Sequence, residues 1–341
     1  MRGALAARVE ALLQRHWWRP RASWLARLLT PLSALYGFLS RQLAAPAGTP
    51  LPVPVLVVGN VIAGGAGKTP AVIALVQALQ AAGRRPGVVS RGYGRRGDGV
   101  REVRDGDRAE QVGDEPLVIR RRCGVPVWVG RQRRTAALAL CQAHPAVDVI
   151  IADDGLQHSA LPRQAELVLF DERGAGNGRL LPAGPLREPW PGERSPMRRV
   201  LYGAGAASTP VPGALGRRTL GRAWPLAAWH SGDSSAAQEL AALRGRPLLA
   251  VAGLAAPEKF FAMLEAEGLS ITRCPLPDHH AYASLPWPEG TADVVTTEKD
   301  AVKLVARALH GTRVWVLPLD LQLPGELVAE LIALLFPAPA P

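Results

Sequence analysis

A glycine-rich turn between an apolar run and a helical segment constrains this chain more than any other feature. Residues 53–70 read VPVLVVGNVIAGGAGKTP, in which the apolar run ends at Gly59 and three further glycines precede Lys68 and Thr69. Glycine admits the conformations that let successive backbone N–H groups point inward around an anion. In such a P-loop the lysine reaches the β- and γ-phosphates and the threonine hydroxyl binds Mg²⁺. The stretch therefore predicts a nucleotide site, without indicating what receives the phosphate.

One position departs from the usual G-x-x-x-x-G-K-[ST] pattern, since Ile62 stands where a glycine is expected. The alternative is a glycine-rich turn from strand to helix without a ligand. Nucleotide binding is favoured because the apolar run, the G-G-x-G-K-T core and the helical segment from Pro70 coincide. The predicted nucleotide-binding residues are Ile62, Ala63, Gly64, Gly65, Ala66, Gly67, Lys68 and Thr69.

Apolar runs and helical patterns alternate along the rest of the chain, which is typical of an α/β fold with a parallel sheet. With 341 residues the chain is expected to hold two domains. We predict a P-loop NTPase-like, mostly parallel sheet with helices on both faces at residues 46–205. A linker rich in glycine, alanine and proline follows at 206–225, and a second, smaller α/β domain occupies residues 226–341.

Residues 1–45 differ in composition from these domains. Leucines recur at helical spacing from Leu25 to Leu39, and three tryptophans lie among arginines. The uncharged run Leu28–Ser40 has 13 residues, fewer than the ~20 that span a bilayer. Arginines at anionic headgroups and tryptophans at the same depth are typical of an amphipathic helix lying in a membrane surface. We predict such an anchor; a helix packed on the domain and a cleaved signal peptide are the alternatives.

The chain carries a net charge of +11, which suggests anionic surroundings such as a nucleotide, a nucleic acid or an acidic membrane face. A GC-rich genome would produce the same excess of arginine without any functional demand. The sequence contains no pattern of a nucleic-acid-binding module, so nucleic acid is not a predicted partner. Cys123, Cys141 and Cys274 have no metal-binding spacing and indicate neither disulfides nor zinc, which fits a reducing cytosol.

Two pairs of adjacent carboxylates are candidates for metal binding or catalysis. Asp114 and Glu115 precede an apolar helical segment, where on their own they would cap its first turn. Asp153 and Asp154 end an apolar run, which is the position of a Walker B acid that holds Mg²⁺ beside a P-loop. A carboxylate pair at a strand end is seldom only structural, because it needs a cation or a base to neutralise it.

A second glycine-rich loop, residues 90–97, reads SRGYGRRG and has the spacing of a dinucleotide-binding fingerprint. Such a fingerprint must open a helix, whereas a charged loop follows here, so a Rossmann site is rejected. Arg91 and Tyr93 on a flexible turn suit an anionic substrate or a nucleotide lid, and a solvated basic loop is the alternative.

Seven motifs occur in order along the chain: GNVIAGGAGKTP, SRGYGRR, VGDE, DDGLQH, GNGRLLPAGPLREP, PDHHAY and TTEKD. In this combination the chain resembles the tetraacyldisaccharide 4'-kinase (lipid A 4'-kinase) family over nearly its whole length. The resemblance implies transfer of the γ-phosphate of ATP to the 4'-hydroxyl of a tetraacylated glucosamine disaccharide 1-phosphate, giving lipid IV A. It also implies a peripheral or monotopic protein at the cytoplasmic face of the bacterial inner membrane, with that anionic surface as a partner. No obligate protein partner is evident.

The same resemblance implies roles for individual residues. Asp114 would be the base that accepts the hydroxyl proton and His279 its partner, while Lys68 would neutralise charge on the γ-phosphate. The implied ligands of Mg²⁺ are Thr69, Glu115 and either Asp153 or Asp154. The implied substrate-binding residues are Arg91, Tyr93 and Gln157.

Two other P-loop classes compete with the kinase. A membrane-associated ATPase switch of the partitioning type also combines a G-G-x-G-K-T loop with an amphipathic helix, but Ala63 stands where its signature lysine would precede the glycine pair. A GTPase would need an N-K-x-D-like base reader, and in TTEKD the lysine comes one place too late. The kinase is therefore the favoured prediction, and the partitioning-type ATPase is the alternative.

Overall fold

Two main sheets and a two-stranded ribbon organise the described part of the chain. The computed structural model describes residues 12–19, 21–43, 46, 48–192, 195–304, 309 and 311–338. Residues 1–11, 20, 44 and 45 of the predicted membrane segment lie outside the described residues.

The amino-terminal segment forms helices at residues 12–17 (α1), Trp24–Leu28 (α2) and Thr30–Gln42 (α3). Ser33 holds α3 against the protein, because its hydroxyl donates to the Leu180 carbonyl at 2.9 Å. The side facing away carries exposed large apolar residues: Trp24, Leu28, Leu32, Leu35, Phe38, Leu39 and Leu43. No helix among the described residues is long and apolar enough to cross a membrane. The exposed stripe is the surface that the sequence predicted to lie on a membrane.

The first sheet has the P-loop strand near its centre. Its strands are β1 Val55–Gly59, β2 Pro86–Ser90, β3 Arg101–Glu102, β4 Val127–Val129, β5 Val149–Asp153, β6 Ala165–Phe170, β7 Arg198–Tyr202 and β8 Ala214–Leu215. Their spatial order is β3-β4-β2-β5-β1-β6-β7-β8, and all neighbours are parallel except β3 and β4. Every residue of β1, β2, β5 and β6 is buried. Because successive side chains of a strand point to opposite faces, both faces of this sheet are covered, and the predicted α/β class is confirmed.

The helices of this sheet are α4 Lys68–Ala81, α5 Ala109–Val112, α6 Asp114–Cys123 and α7 Arg133–Ala143. Helix α4 starts directly after the P-loop and contacts β1, β2 and β5. In the register of β1 and β5, Val58 lies beside Asp153. The P-loop and the carboxylates after β5 therefore meet at the carboxyl edge of the sheet, where open α/β sheets bind their ligands.

A second, smaller sheet lies in the carboxyl-terminal part of the chain. Its strands are β10 Trp224–Pro225, β11 Leu248–Ala252, β12 Ile271–Pro275, β13 Asp293–Thr297 and β14 Arg313–Leu317, in the spatial order β10-β14-β13-β11-β12. All neighbours are parallel except β10 and β14. Its helices are α8 Leu226–Ser231, α9 Pro257–Ala266 and α10 Glu298–Ala301, with 3₁₀ turns at Ser234–Ala236 and Leu240–Leu243. The prediction of a second α/β unit is thereby confirmed.

An antiparallel ribbon joins a strand that precedes the second sheet in the chain to a strand that follows it. It pairs β9, Arg217–Leu220, with β15, Leu319–Gln322, and contacts α4. Strands β8, β9 and β10 fall within the predicted linker 206–225. The last helix, α11 Gly325–Leu335, returns to contact α4 and β6 of the first sheet. The exact domain boundaries stay a prediction.

Candidate active site

The P-loop turns on left-handed glycines and leads directly into α4. Gly64 and Gly67 have φ angles of 91° and 85°, and Gly67 caps the helix. Lys68 and Thr69 are the first two residues of α4, so the loop brings both side chains to the helix N-terminus. Free backbone N–H groups and the positive end of the helix dipole favour a phosphate at this place.

The surroundings of Ile62 explain why this position departs from the usual P-loop pattern. Its side chain is completely buried, and its backbone forms an isolated antiparallel bridge with Leu186. Next to it, the Ala63 N–H donates to the Pro185 carbonyl at 2.7 Å. The first half of the loop is therefore paired with a neighbouring segment in extended conformation, where a β-branched side chain fits better than glycine.

Lys68 is held over the loop by two oxygen atoms. Its Nζ donates to Asn60 Oδ1 at 3.1 Å and lies 3.5 Å from Asp154 Oδ1. Asn60 is fully buried, and its side-chain amide donates to the Gly64 carbonyl at 2.9 Å. The predicted substrate residue Gln157 also lies here, since its Nε2 donates to the Asn60 carbonyl at 3.4 Å. The strand end, the loop and the lysine thus form one hydrogen-bonded unit.

Asp153 is a buried carboxylate with one unpaired oxygen. Ser90 donates its hydroxyl to Oδ2 at 3.0 Å, whereas Oδ1 has no hydrogen-bond partner among the described residues. Burial raises the pKa of Asp153 to about 7, and the negative charges of Glu115 and Asp154 act in the same direction. A cation would stabilise the ionised form of such a group, so the site fits the Mg²⁺ that accompanies a P-loop nucleotide.

Asp154 differs from its neighbour because basic side chains already neutralise it. Arg187 lies 3.2 Å and Lys68 3.5 Å from its Oδ1. Burial alone would raise the pKa of Asp154, but the charges of Lys68 and Arg187 outweigh that effect and lower it. Its φ is 51°, a left-handed conformation that costs about 1 kcal/mol or more and is concentrated at functional sites.

Asp114 and His279 are brought together from the two sheets. Asp114 begins α6, and His279 lies in the PDHHAY loop after β12. His279 Nδ1 is 2.8 Å from Asp114 Oδ2, and Lys303 Nζ is 3.2 Å from the same oxygen. The other carboxylate oxygen accepts from the Glu115 N–H at 2.9 Å. The structure thus places the two predicted catalytic residues in contact, while their roles stay a prediction.

The surroundings favour the charged form of this pair. Burial alone would raise the pKa of Asp114, but the hydrogen bond to His279 and the charges of Lys299 and Lys303 hold that pKa below its usual range. The hydrogen bond to Asp114 raises the pKa of His279, against the opposing effects of burial and of Lys299. An ionised carboxylate beside a protonated imidazole is therefore stabilised up to the raised pKa of the histidine.

Glu115, a predicted metal ligand, is paired with a lysine. Lys299 Nζ donates to Glu115 Oε1 at 2.8 Å. Burial alone would lower the pKa of Lys299, but the carboxylates of Glu115 and Asp114 outweigh burial and raise it. Lys299 belongs to the TTEKD motif in α10, and Lys303 follows one turn later. Two lysines in and just after α10 thus face the carboxylates at the start of α6.

The glycine-rich loop at residues 90–97 lies beside the Asp114–His279 pair. The Tyr93 side chain is 62% exposed, and its ring centroid lies 4.9 Å from that of His279. Arg91 is exposed as well. Of the three predicted substrate residues, Tyr93 is therefore at the Asp114–His279 pair, Gln157 is at the P-loop, and Arg91 is on accessible surface of the same loop as Tyr93.

The predicted metal ligands do not form a preassembled cluster. Within the part of the chain that the structure describes, no three histidine, cysteine or acidic side chains are grouped to hold a metal ion. P-loop enzymes bind Mg²⁺ through a threonine or serine hydroxyl, one or two carboxylates, water and nucleotide phosphates, so three such side chains are not required. Thr69 and the unpaired Oδ1 of Asp153 are the protein groups that fit this arrangement best.

Three basic residues at the site were absent from the sequence prediction: Arg187, Lys299 and Lys303. Arg187 stands in PLREP and Lys299 in TTEKD, so two of them lie in motifs that carry the family resemblance. Their partners lie far away in the chain, and the motifs alone do not indicate which carboxylates they meet.

Comparison with known proteins gives a consistent result. The family model described as tetraacyldisaccharide-1-P 4'-kinase (LpxK) matches residues 25–335. A tetraacyldisaccharide 4'-kinase of Methylibium petroleiphilum is 53% identical over 325 residues, covering 92% of this chain and 90% of that protein. One of Leptothrix cholodnii is 49% identical over 343 residues, covering 97% of each chain.

Among solved structures, the crystal structure of LpxK from Aquifex aeolicus in complex with ATP has the same fold. The TM-score is 0.73 at 26% sequence identity, covering 92% of this chain and 100% of that one. The family match and the sequence relatives extend over both sheets. The chain therefore belongs to the tetraacyldisaccharide-1-P 4'-kinase family.

Proposed function

We propose that this protein is an ATP-dependent lipid kinase that transfers the γ-phosphate of ATP to the 4'-hydroxyl of a tetraacyldisaccharide 1-phosphate, forming lipid IV A. The observation that carries the proposal is the 2.8 Å contact between His279 Nδ1 and Asp114 Oδ2. This pair is near the edge of the sheet that carries the P-loop, because Tyr93, whose ring lies 4.9 Å from that of His279, follows Ser90, whose hydroxyl donates to Asp153 at 3.0 Å. A P-loop binds nucleotide, whereas a carboxylate–imidazole pair beside it can receive the proton of an acceptor hydroxyl.

Charge on the transferring phosphate is neutralised by groups that are already in place. Phosphoryl transfer depends mainly on positioning and on electrostatic stabilisation. Lys68 provides a fixed positive charge at the start of α4, and Arg187 provides a second one through its pairing with Asp154. When bound with the nucleotide, Mg²⁺ would be held by Thr69 and Asp153 and would neutralise charge on the β- and γ-phosphates.

Asp114 acts on the acceptor hydroxyl, with His279 as its partner. The low pKa of Asp114 makes it a weak base in the resting pair. The transition state of phosphoryl transfer is loose in most analyses, so the hydroxyl needs to be oriented more than it needs to be deprotonated early. His279 and the two lysines keep the carboxylate ionised and fixed, which is the form that orients a hydroxyl and then takes its proton.

The substrate is acylated, so the enzyme has to work at a membrane. The exposed apolar stripe of α2 and α3 supports an in-plane contact with the cytoplasmic face of the inner membrane, as a peripheral or monotopic protein. A net charge of +11 supports attraction to an anionic surface. Neither nucleic acid nor an obligate protein partner is part of this proposal.

The partitioning-type ATPase switch is set aside. The family match extends over residues 25–335, and Ala63 occupies the place of the signature lysine of such switches.

The proposal is tested by incubating the purified protein with ATP, Mg²⁺ and tetraacyldisaccharide 1-phosphate. A lipid carrying one more phosphate should appear by mass spectrometry. The Lys68→Ala variant should remain folded but transfer phosphate about 10²-fold more slowly or worse, because a fixed charge at the γ-phosphate is lost. Hydrolysis of ATP without phosphorylation of the lipid, or full activity of Lys68→Ala, would contradict the proposal.

A further inference from the structure

Two arginines outside the P-loop donate to carbonyl groups of consecutive loop residues. Arg173, which follows β6, donates from Nη2 to the Gly65 carbonyl at 2.8 Å. Arg218, in β9 of the ribbon, donates from Nη2 to the Ala66 carbonyl at 2.9 Å. Neither arginine lies in the G-G-x-G-K-T core, and the two come from different parts of the fold.

These contacts bear on the direction of the loop's N–H groups. A trans peptide is planar, and its C=O and N–H point in opposite directions. A guanidinium that holds the Gly65 carbonyl therefore turns the Ala66 N–H away from itself. Arg218, which holds the Ala66 carbonyl, likewise turns the Gly67 N–H away from itself. In a P-loop, N–H groups of the glycine turn are the donors that bind phosphate oxygens.

Arg173 is fixed by a carboxylate and an aromatic ring. Its Nε donates to Asp171 Oδ2 at 2.9 Å, and Asp171 is only 1% exposed. Lys259 of α9 donates to the same oxygen at 2.8 Å. The guanidinium carbon lies 4.3 Å from the centroid of a ring in the amino-terminal segment, that of Trp18. A planar guanidinium can contact a carboxylate, a carbonyl and an aromatic face at the same time, which an ammonium group does not do.

Arg218 approaches the loop closely at Gly67. A Cβ atom on Gly67 would come within 2.8 Å of the arginine Nη2. In the ribbon, Arg218 is paired in register with Leu321, which is buried. The contact of the ribbon with α4 therefore sets the position of this guanidinium relative to the helix that carries Lys68.

We propose that Arg173 and Arg218 are positioning residues of the P-loop, and that the contact of Trp18 with Arg173 couples the P-loop to the amino-terminal segment. The proposal rests on the proposed use of ATP. In this proposal the ring of Trp18 positions Arg173, a role that is separate from membrane contact. Loss of either arginine loosens ATP binding, and loss of the Trp18 ring does so through Arg173.

The test measures ATP affinity by calorimetry in detergent solution without lipid. Arg173→Gln and Arg218→Gln should each bind ATP about 5- to 20-fold more weakly than the wild type, the size expected for one oriented charge-assisted contact. In steady-state kinetics, KM for ATP should rise while KM for the lipid stays the same. Arg244→Gln is the matched control, because Arg244 also donates to a backbone carbonyl, that of Glu267 at 3.0 Å, in the second sheet's unit. It should bind ATP as the wild type does.

The coupling is tested with Trp18→Leu, which keeps an apolar side chain but removes the ring. This change should weaken ATP binding in the wild type and have little further effect in Arg173→Gln, because both act through one contact. Thermal melts identify any variant that is simply unfolded.

Unchanged ATP affinity in folded Arg173→Gln and Arg218→Gln, or an equal loss in Arg244→Gln, would overturn the positioning role. Effects of Trp18→Leu and Arg173→Gln that multiply would overturn the coupling. Failure of the wild type to bind ATP would instead contradict the proposed function, so the two failures are distinguishable. Weakened ATP binding in both glutamine variants, with an unchanged KM for lipid, is the result that supports the inference.

Discussion

Asp114 and His279 lie 2.8 Å apart, between Oδ2 and Nδ1, although 165 residues separate them in the chain. Asp114 begins a helix that packs on the first sheet, and His279 lies in a loop after a strand of the second sheet. Two lysines lie beside them: Lys303 contacts Asp114, and Lys299 contacts Glu115. The Asp114–His279 contact, which is the predicted catalytic pair, therefore forms only when the second sheet's unit packs against α6.

Restoring the usual P-loop pattern should lower the stability of the folded protein. Ile62→Gly removes a completely buried side chain from a residue whose backbone pairs with Leu186. Truncation of a buried isoleucine to alanine costs about 2–5 kcal/mol, and glycine adds a loss of backbone entropy. Urea unfolding should show a lower midpoint, and calorimetry should show no gain in ATP affinity. An unchanged midpoint together with tighter ATP binding would mean that Ile62 is a defect of the phosphate site.

The exposed stripe of α3 should be required for membrane attachment. Leu32 and Leu35 are each 51% exposed, so Leu32→Glu with Leu35→Glu adds charge to this stripe without disturbing the Ser33 side of the helix. Flotation with vesicles that contain phosphatidylglycerol should fall strongly, because apolar burial and headgroup attraction are both reduced.

The matched control for this change is Leu215→Glu, at a leucine of β8 that is 49% exposed and lies outside the stripe. It should float as the wild type does, and the melting temperatures of all variants should be close. Equal flotation of the control and the double variant would mean that the stripe does not hold the membrane.

The stability that His279 contributes should depend on pH. Its pKa is raised above that of the unfolded chain, which is about 6.5. The contribution is therefore fully present below about pH 6.5 and is lost as the pH rises through the folded-state pKa. The difference in melting temperature between the wild type and His279→Gln should be larger at pH 6 than at pH 9. A difference that grows with pH would contradict the assigned ion pair.

The P-loop unit was predictable because its signals are local. An apolar run, closely spaced glycines and a lysine lie within residues 53–70, and each acts on its immediate neighbours. The position of Asp153 beside the loop was also predictable, because the parallel pairing of β1 and β5 brings their carboxyl ends to one edge. The apolar runs of these strands are continuous because both sheet faces are covered.

Other parts of the site have no local signal. The contact between Asp114 and His279 was expected only through the family resemblance, since neither VGDE nor PDHHAY indicates its partner. Lys299 lies in the TTEKD motif, but its pairing with Glu115 results from the packing of α10 against α6. Arg218 lies in a stretch predicted to be a linker, where composition alone did not indicate contact with the P-loop.

A substitution of the neighbouring histidine separates the effect of the Asp114–His279 contact on kcat from a general effect of the loop. His280→Ala changes the adjacent histidine of PDHHAY, whose ring lies 5.0 Å from that of Tyr282. It should leave kcat much closer to the wild-type value than His279→Ala does. A loss of kcat in His280→Ala as large as that in His279→Ala would mean that the loop as a whole, and not the contact with Asp114, is required.

The most direct test of the account is kcat for Asp114→Ala, His279→Ala and the double variant, with thermal melts alongside. The proposed mechanism makes the two residues one unit, so each single change should lower kcat by about 10²–10⁴, the usual contribution of a positioned base. ATP affinity should change little, and the double variant should be hardly slower than the slower single one. Effects that multiply, or folded single variants with wild-type kcat, would contradict the account.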